Sequence, residues 1–193
     1  MSKIINADAL DALRKLPDSC CRTCITSPPY YGLRDYGADG QIGLEDTPDQ
    51  YIENLVRIFR EVRRVLKDDG TLWVNIGDSY AASGKGRNRD GVFNEKAENI
   101  QSARQKKSQI RRTTEGNGLK RKDLIGIPWL LAFALRADGW YLRSDIIWQK
   151  PNAMPESVKD RPTRAHEYIF FTKQKLPLLL RRRSGERASR GIL

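Results

Sequence analysis

The sequence predicts one α/β domain built around a mainly parallel sheet. Runs typical of strands alternate along the 193 residues with segments whose apolar positions recur at helical spacing. Such alternation is typical of sheets whose parallel strands are connected by helices. The chain is long enough to bury a hydrophobic core, and its 39% of hydrophobic residues argues against wholesale disorder.

The first predicted elements are a short strand over residues 4–8 and a helix over 9–16. Asp8 is placed as the N-cap of this helix, because its carboxylate can accept hydrogen bonds from the free amides of the first turn. A proline directly after the helix ends it, and a strand is predicted over 23–26.

A long amphipathic helix is predicted in the middle of the chain. It starts after Thr47, and its apolar residues continue at helical spacing as far as Leu66. Gly70 is expected to end it as the C′ residue, since glycine adopts the left-handed conformation without steric cost. The apolar run over 71–76 predicts the strand that follows.

The last predicted elements are a helix over 124–137 and strands over 140–148 and 167–172. Pro128 fits this helix only in the first turn, where an amide hydrogen is not needed. Four tryptophans are assigned to the core, the last with a place beside a base pocket as its alternative: Trp73, Trp129, Trp140 and Trp148.

The charge of the chain points to a polyanionic partner. Lys and Arg number 35 and Asp and Glu number 24, which gives a formal net charge of +11 and makes nucleic acid the first candidate. Basic residues are concentrated in a segment over 81–122 that has few apolar residues. We interpret this basic insertion loop as a segment that binds DNA phosphates, with a merely solvated insertion as the alternative. Its candidate DNA contacts are Lys85, Arg87, Arg111 and Arg112.

The cysteines favour structural roles over a metal site. Cys21 and Cys24 have the C-x-x-C spacing of zinc or redox sites, but the sequence has no second pair and only one histidine. We therefore expect no metal, and small hydrophobic roles for the cysteines, with Cys24 and Ile25 in a buried strand. No apolar run approaches the roughly 20 residues that span a bilayer. The first residues are not typical of a secretory signal, so we expect a cytoplasmic protein without a membrane partner.

One tetrapeptide carries the strongest chemical signal. Ser27-Pro28-Pro29-Tyr30 directly follows a strand, and open α/β sheets bind ligands beyond the carboxyl ends of their strands. The prolines fix the backbone and remove two amide donors. The Ser27 hydroxyl and the Pro28 carbonyl can then accept hydrogen bonds from an exocyclic base amine, while Tyr30 stacks on a flipped base. An ordinary Pro-Pro turn after a strand is the alternative interpretation.

The tetrapeptide and its surroundings resemble amino-DNA methyltransferases, which use S-adenosylmethionine to methylate cytosine N4 or adenine N6. The resemblance covers about residues 4–173 and implies that residues 1–173 form a partial catalytic domain with a Rossmann-like methyltransferase sheet. The motif stands early in the chain, as in the circularly arranged class whose cofactor-binding half comes last. The segments that carry the resemblance, besides the motif, are 6–10, 16–19, 31–36, 72–78, 146–152 and 161–168.

The resemblance implies roles for individual residues and assigns catalysis to the motif itself. For Asp78, the capping of a turn is an equally good alternative to a cofactor contact. The implied contacts with S-adenosylmethionine are Asp8, Ser27, Pro28 and Asp78. The DNA contacts outside the basic insertion loop are Arg34, Lys150 and Asn152.

The chain departs from this class after its last predicted strand. A glycine-rich cofactor loop is expected there, because glycines let the backbone approach the cofactor closely. Residues 174–193 contain no such loop and instead carry runs of leucine and arginine. We hypothesise a frameshift near Lys173, since such runs arise when other codons are read out of register. A native but divergent tail is the alternative.

These observations predict a DNA methyltransferase that acts on an exocyclic base amine of double-stranded DNA. Serine at the first position of the motif favours cytosine N4 over adenine N6. The absence of the glycine-rich loop keeps open a second hypothesis, a catalytically dead remnant that still binds DNA. A basic RNA-binding module is a weaker third, since the sequence lacks the aromatic signature of such modules. The resemblance also implies a homodimer, or a complementing chain that carries the cofactor half.

Overall fold

The computed structural model describes residues 4–81, 118–120, 122–153 and 155–175. The four candidate DNA contacts of the basic insertion loop lie outside these ranges, as do residues 176–193 of the tail. The described elements, in chain order, are α1 Ala9–Arg14, β1 Cys21–Thr26, α2 Pro48–Val65, β2 Leu66–Ile76, α3 Ile127–Ala137, β3 Tyr141–Gln149 and β4 His166–Lys173.

The described strands form one sheet in the order β1-β2-β4-β3. β1 and β2 are parallel, whereas β4 runs antiparallel to both β2 and β3. The described sheet is therefore mixed: β1, β2 and β3 share one direction, and the prediction of a mainly parallel sheet is wrong for the two pairings of β4. The physical reason is the connection from β3 to β4, which returns the chain directly instead of crossing the sheet as a helix. At the base of this loop the Lys150 amide donates to the Ala165 carbonyl at 2.7 Å.

The hydrophobic core lies between one face of the sheet and the helices α2 and α3. β2 contributes alternate residues because side chains of a strand point to opposite faces in turn. Trp140 is buried in this core and Trp129 packs against it, as predicted, with its ring 5.2 Å from that of Phe170. The fully buried side chains of the core include Tyr51, Leu55, Leu66, Leu72, Val74, Ile76, Leu131 and Leu135.

The N-terminal region confirms the predicted cap but not the predicted strand. The Asp8 carboxylate accepts hydrogen bonds from the first-turn amides of α1 at 2.9 and 3.2 Å, as an N-cap does. The helix ends at Arg14, before the predicted residue 16. Residues 4–8 form no strand, and Ile4 exposes 95% of its surface, because no described strand lies beside this segment to pair with it.

The boundary between α2 and β2 differs from the prediction. α2 begins as expected, with the Thr47 hydroxyl accepting a hydrogen bond from a first-turn amide at 3.2 Å. Leu66 then turns to an extended conformation (φ −77°, ψ 143°) and pairs with Cys21 of β1. Gly70 therefore lies inside β2 instead of ending the helix, because pairing with β1 overrides the local helix-ending signal. A Cβ at Gly70 would stand 2.7 Å from the Lys67 carbonyl, so this part of the strand requires glycine.

The opposite face of the sheet, here called the open face, has little cover within the described chain. Ile25 of β1 exposes 78% of its surface and Trp148 of β3 exposes 50%, so the expectation that both are buried is wrong. Trp73 lies on this face as well and stacks on Phe171, with ring centroids 4.4 Å apart, instead of entering the core. The outer edge of β1 pairs with no described strand. Among the described helices, none combines the length and the apolar character needed to cross a membrane.

Candidate active site

The topology brings polar side chains together at one end of the open face. The carboxyl ends of β1 and β2 meet because these neighbours are parallel, and ligand sites of α/β sheets lie at such an edge. β4 runs the other way and begins there, while β3 ends beside it. The residues that converge are Ser27 and Tyr30 after β1, Asn75 in β2, Lys150 after β3 and Glu167 in β4.

The Ser-Pro-Pro-Tyr motif forms a rigid corner after β1. Ser27 is exposed, Pro28 is buried, and the Pro29 carbonyl accepts a hydrogen bond from the Tyr51 hydroxyl of α2 at 2.8 Å. Burial raises the pKa of Tyr51, so its hydroxyl remains a donor. The corner therefore presents the Ser27 hydroxyl to solvent while α2 holds the second proline from behind.

Tyr30 points its hydroxyl into a polar network. Its Oη lies 2.8 Å from Asn75 Oδ1 and 2.9 Å from Glu167 Oε2, and both of these atoms are acceptors. Burial raises the pKa of Tyr30 to about 12; a hydrogen bond from Ser27 opposes this rise, and Glu167 adds to it. The phenol thus keeps its proton at neutral pH. The Tyr30 ring is also packed tightly, because a Cβ at Gly77 would lie 2.6 Å from its Cε2.

Glu167 links Tyr30 to Lys150. Its Oε1 forms an ion pair with the Lys150 ammonium, and its side chain is only 16% exposed. Burial opposes ionisation of this carboxyl, but hydrogen bonds from Lys150, Tyr30 and Asn75 outweigh that effect and hold its pKa below the ordinary value. Lys150, predicted as a DNA contact, is thus paired with Glu167 while 42% of its side chain stays exposed, and its role at DNA stays a prediction.

The two predicted cofactor carboxylates both cap helices. Asp8 caps α1 through Oδ1, as described above. Asp78 Oδ1 accepts hydrogen bonds from the amides of Ser79 at 2.8 Å and of Gly126 and Ile127 at 2.9 Å, at the start of α3. Asp78 thus has a capping role, but it caps the start of α3 as well as the amide of the next residue, whereas only a turn was expected; contact of either residue with a cofactor stays a prediction.

The remaining predicted DNA contacts lie apart from this network. Arg34 and Asn152 are both exposed, and the backbone carbonyl of Arg34 is tied to the Gln41 side chain at 2.9 Å. A further arginine, Arg164, lies close to the site and donates to the Asp78 carbonyl at 3.0 Å. Sequence reasoning did not single it out. Within the described ranges no group of three metal-ligating side chains is close enough to hold an ion.

Sequence reasoning also missed Asn75, Gly77 and Glu167. A signal for Asn75 was present, since it is the polar residue in the apolar stretch 72–76, whereas Glu167 is one of several polar residues in β4. What the sequence did not reveal is that the two side chains share one partner, because β2 and β4 are separated by about half of the chain. Gly77 follows β2 directly and carried no signal of its own.

Comparison with known proteins supports the similarity inferred from the motif. Residues 21–180 match the family model N6_N4_Mtase, described as DNA methylase. The chain is 56% identical over 172 residues to the type II methyltransferase M.Cfr9I of Citrobacter freundii, covering 87% of this chain and 53% of the relative. It is 55% identical over 170 residues to M.SmaI of Serratia marcescens, covering 88% and 54%. The chain thus spans about half the length of these relatives.

Solved structures support the fold. The PvuII DNA methyltransferase, which is cytosine-N4-specific, superposes with a TM-score of 0.57 at 14% identity, covering 88% of this chain and 48% of that one. A Thermus thermophilus protein assigned as a DNA modification methylase, in complex with S-adenosyl-L-methionine, gives 0.53 at 21% identity, covering 87% and 51%. The described sheet is therefore part of a methyltransferase fold. With the family model matching most of its length, the chain belongs to the N6/N4 DNA methylase family.

Proposed function

We propose that this chain carries the base-methylating half of a type II DNA methyltransferase, with cytosine N4 as the favoured target. The observation that carries the proposal is the rigid corner after β1, which exposes the Ser27 hydroxyl beside the Tyr30 network. Serine at the first position of the motif favours cytosine N4 over adenine N6. Double-stranded DNA is the expected partner, in keeping with the net charge of +11.

The corner suits the recognition of a base amine. Ser27 Oγ lies 3.4 Å from both Asn75 Oδ1 and Tyr30 Oη and donates its hydrogen inward. Its lone pairs therefore face outward and can accept one hydrogen of the amine, while the Pro28 carbonyl accepts the other. Two acceptors on the amine hydrogens orient the nitrogen lone pair, so this chain contributes positioning and electrostatic catalysis. The Tyr30 ring supports the flipped base by stacking.

S-adenosylmethionine would supply the electrophilic methyl group. The residues present fit one wall of its site. Among the described residues Asp8 caps α1 through Oδ1 alone, so we assign Oδ2 to a hydroxyl or amine of the cofactor. Asp78 fits less well, because both of its oxygens already accept backbone amides. Asp8, Ser27 and Pro28 are therefore the residues we assign to this wall.

We also propose that the rest of the cofactor site comes from a polypeptide that covers the edge of β1 beside which no described strand lies. The chain spans about half of its curated relatives, and the exposed Ile25 lies beside that edge. A parallel strand added to β1 would continue the sheet, and helices on the open face would shield Ile25, Trp73 and Phe171. A second copy of this chain, or a complementing chain with the cofactor half, is the candidate partner.

The test measures methyl transfer to unmodified double-stranded DNA with labelled S-adenosylmethionine and nucleoside mass spectrometry. The chain is assayed alone and mixed with the part of M.Cfr9I that it does not match. We expect N4-methylcytosine in the mixture and none with S27A, which removes the acceptor hydroxyl. N6-methyladenine would overturn the cytosine assignment. DNA binding without any product in either sample would favour the second candidate, a DNA-binding remnant. The net charge of +11 supports that candidate.

A further inference from the structure

We propose that Glu167, held by Lys150, is a positioning residue that orients the Ser27 hydroxyl through Tyr30. The inference rests on the proposed function, because it assigns Glu167 a task in presenting Ser27 to the base amine. Glu167 itself is separated from the exposed Ser27 by the Tyr30 hydroxyl. It therefore acts through Tyr30 and does not touch the base.

The Glu167 carboxylate bridges Lys150 and Tyr30. One oxygen, Oε1, pairs with the Lys150 ammonium, and the other, Oε2, lies 2.9 Å from the Tyr30 hydroxyl. With 16% exposure the carboxylate is shielded from solvent, which strengthens both interactions. Lys150 lies directly after β3 and Glu167 is the second residue of β4, so two paired strands hold the bridge.

The number of available hydrogens determines which group donates and which group accepts each hydrogen bond of the network. The Tyr30 phenol has one proton and two acceptors within reach, Asn75 Oδ1 and Glu167 Oε2. The amide of Asn75 is oriented by its Nδ2, which donates to the Tyr168 carbonyl at 3.3 Å. An ionised carboxylate is the stronger acceptor, so the phenol donates its hydrogen bond to Glu167.

The orientation of the Ser27 hydroxyl depends on which acceptor receives the hydrogen bond of Tyr30. When the phenol donates its hydrogen bond to Glu167, Asn75 Oδ1 and Tyr30 Oη remain as inward acceptors for the Ser27 hydrogen. The serine lone pairs then face the position of the base amine. A glutamine at position 167 would turn its oxygen to Lys150 and its NH₂ to Tyr30 Oη. The phenol would then donate its hydrogen bond to Asn75, and Ser27 would share both of its inward acceptors with another donor.

The first experiment measures single-turnover methyl transfer and DNA affinity in the reconstituted enzyme. We expect E167Q to slow the chemical step about 10- to 100-fold while DNA affinity changes less than about twofold, because an orienting interaction is lost without a DNA contact. K150M, which keeps the carboxylate but removes its anchor, should slow the step in the same direction. The matched control is E61Q, which removes an ion-paired carboxylate on α2 that contacts Arg64.

A double variant tests the route through Tyr30. If Glu167 acts through the phenol, E167Q in a Y30F background costs no further rate, because the orienting hydroxyl is already gone. Losses that add in the double variant would overturn the proposal, as would a loss in DNA affinity that accounts for the whole effect. A rate for E61Q as low as that for E167Q would overturn it as well.

A second readout needs no methyl transfer and so separates this inference from the proposed function. The chain is labelled with tyrosine enriched in ¹³C at Cζ, the Tyr30 signal is identified with Y30F, and its titration is followed by NMR. In the wild-type chain burial and Glu167 both raise the pKa of Tyr30, which lies at about 12. E167Q should lower it while leaving it above that of an exposed tyrosine, and E61Q should leave it unchanged. An unchanged Tyr30 titration in a folded E167Q chain would refute the bridge.

Discussion

The substitution G77A tests how closely the Tyr30 ring must be placed. Gly77 follows β2, and a Cβ there would lie 2.6 Å from Tyr30 Cε2 and 2.8 Å from Cδ2. Carbon atoms pack at about 3.5 Å or more, so the ring must retreat by about 1 Å. Its hydroxyl now lies 2.8 Å from Asn75 Oδ1 and 2.9 Å from Glu167 Oε2. A retreat of this size takes both contacts beyond hydrogen-bond distance.

The magnitude follows from these contacts. Overpacking costs about 1–3 kcal/mol, and loss of a hydrogen bond to a charged partner costs about 1.5–3 kcal/mol. Since the ring can relax in part, we expect the free energy of unfolding of G77A to fall by about 3 kcal/mol. Misplacement of a positioning group by about 1 Å lowers the rate of methyl transfer about 100-fold.

Two measurements on the same variants check the reasoning. Urea unfolding of the chain gives the free energy of unfolding, and single-turnover methyl transfer by the reconstituted enzyme gives the rate. The matched comparison is G77A in a Y30A background, where the clashing ring is absent and the second substitution should cost almost nothing in stability. Equal costs of G77A in both backgrounds, or an unchanged rate for the single variant, would refute the assignment of Gly77 to Tyr30.

Three further predictions concern stability and are read from urea unfolding. D78A should lower the free energy of unfolding by about 1–2 kcal/mol, because the first amides of α3 lose their cap; a change near zero would mean that water replaces the carboxylate fully. L72A should cost about 2–5 kcal/mol, since Leu72 is fully buried in the core; a cost below about 1 kcal/mol would contradict this. The third concerns pH: Lys150 and Tyr30 face Glu167 and hold its pKa below the ordinary 4.5. The stability this gives is present above pH 4.5 and lost as pH falls through the folded-state pKa, so the difference between wild type and E167Q should shrink in acid. A difference that persists unchanged at low pH would show that the charge of Glu167 is not its source.

Helix α2 could be predicted because its signals are local. Apolar residues repeat every three or four positions, and Thr47 precedes a proline that fits the first turn. Its far end could not be predicted in the same way. Gly70 is a common helix-ending residue, but the pairing of Leu66 with Cys21 starts β2 first, and that contact joins segments 45 residues apart in sequence.

The exposure of the open face could not be predicted from the residues on it. An apolar run such as Cys24-Ile25 is typical of a buried strand, and Cys24 does pack against the core. Ile25 points to the other face, where the described chain provides no helix. Periodicity indicates that a side chain needs cover, but it does not say whether the same chain supplies it. The strand predicted over 4–8 does not form for a similar reason, since a strand requires a neighbouring strand to pair with.

The same distinction applies to the candidate site: adjacent residues could be recognised in the sequence, whereas contacts between distant segments could not. Four adjacent residues, Ser27 to Tyr30, could be found because the prolines and the aromatic ring stand together in the sequence. Their orientation depends on Asn75 and Glu167, and Glu167, which Lys150 holds, reaches Tyr30 because β4 is antiparallel to both of its neighbours. A β4 that ran parallel to β2 would have placed Glu167 at the opposite edge. The contact of Glu167 with the motif was therefore missed for the same reason as the pairings of β4: the reversal of β4 turns a strand-end carboxylate into a partner of the motif.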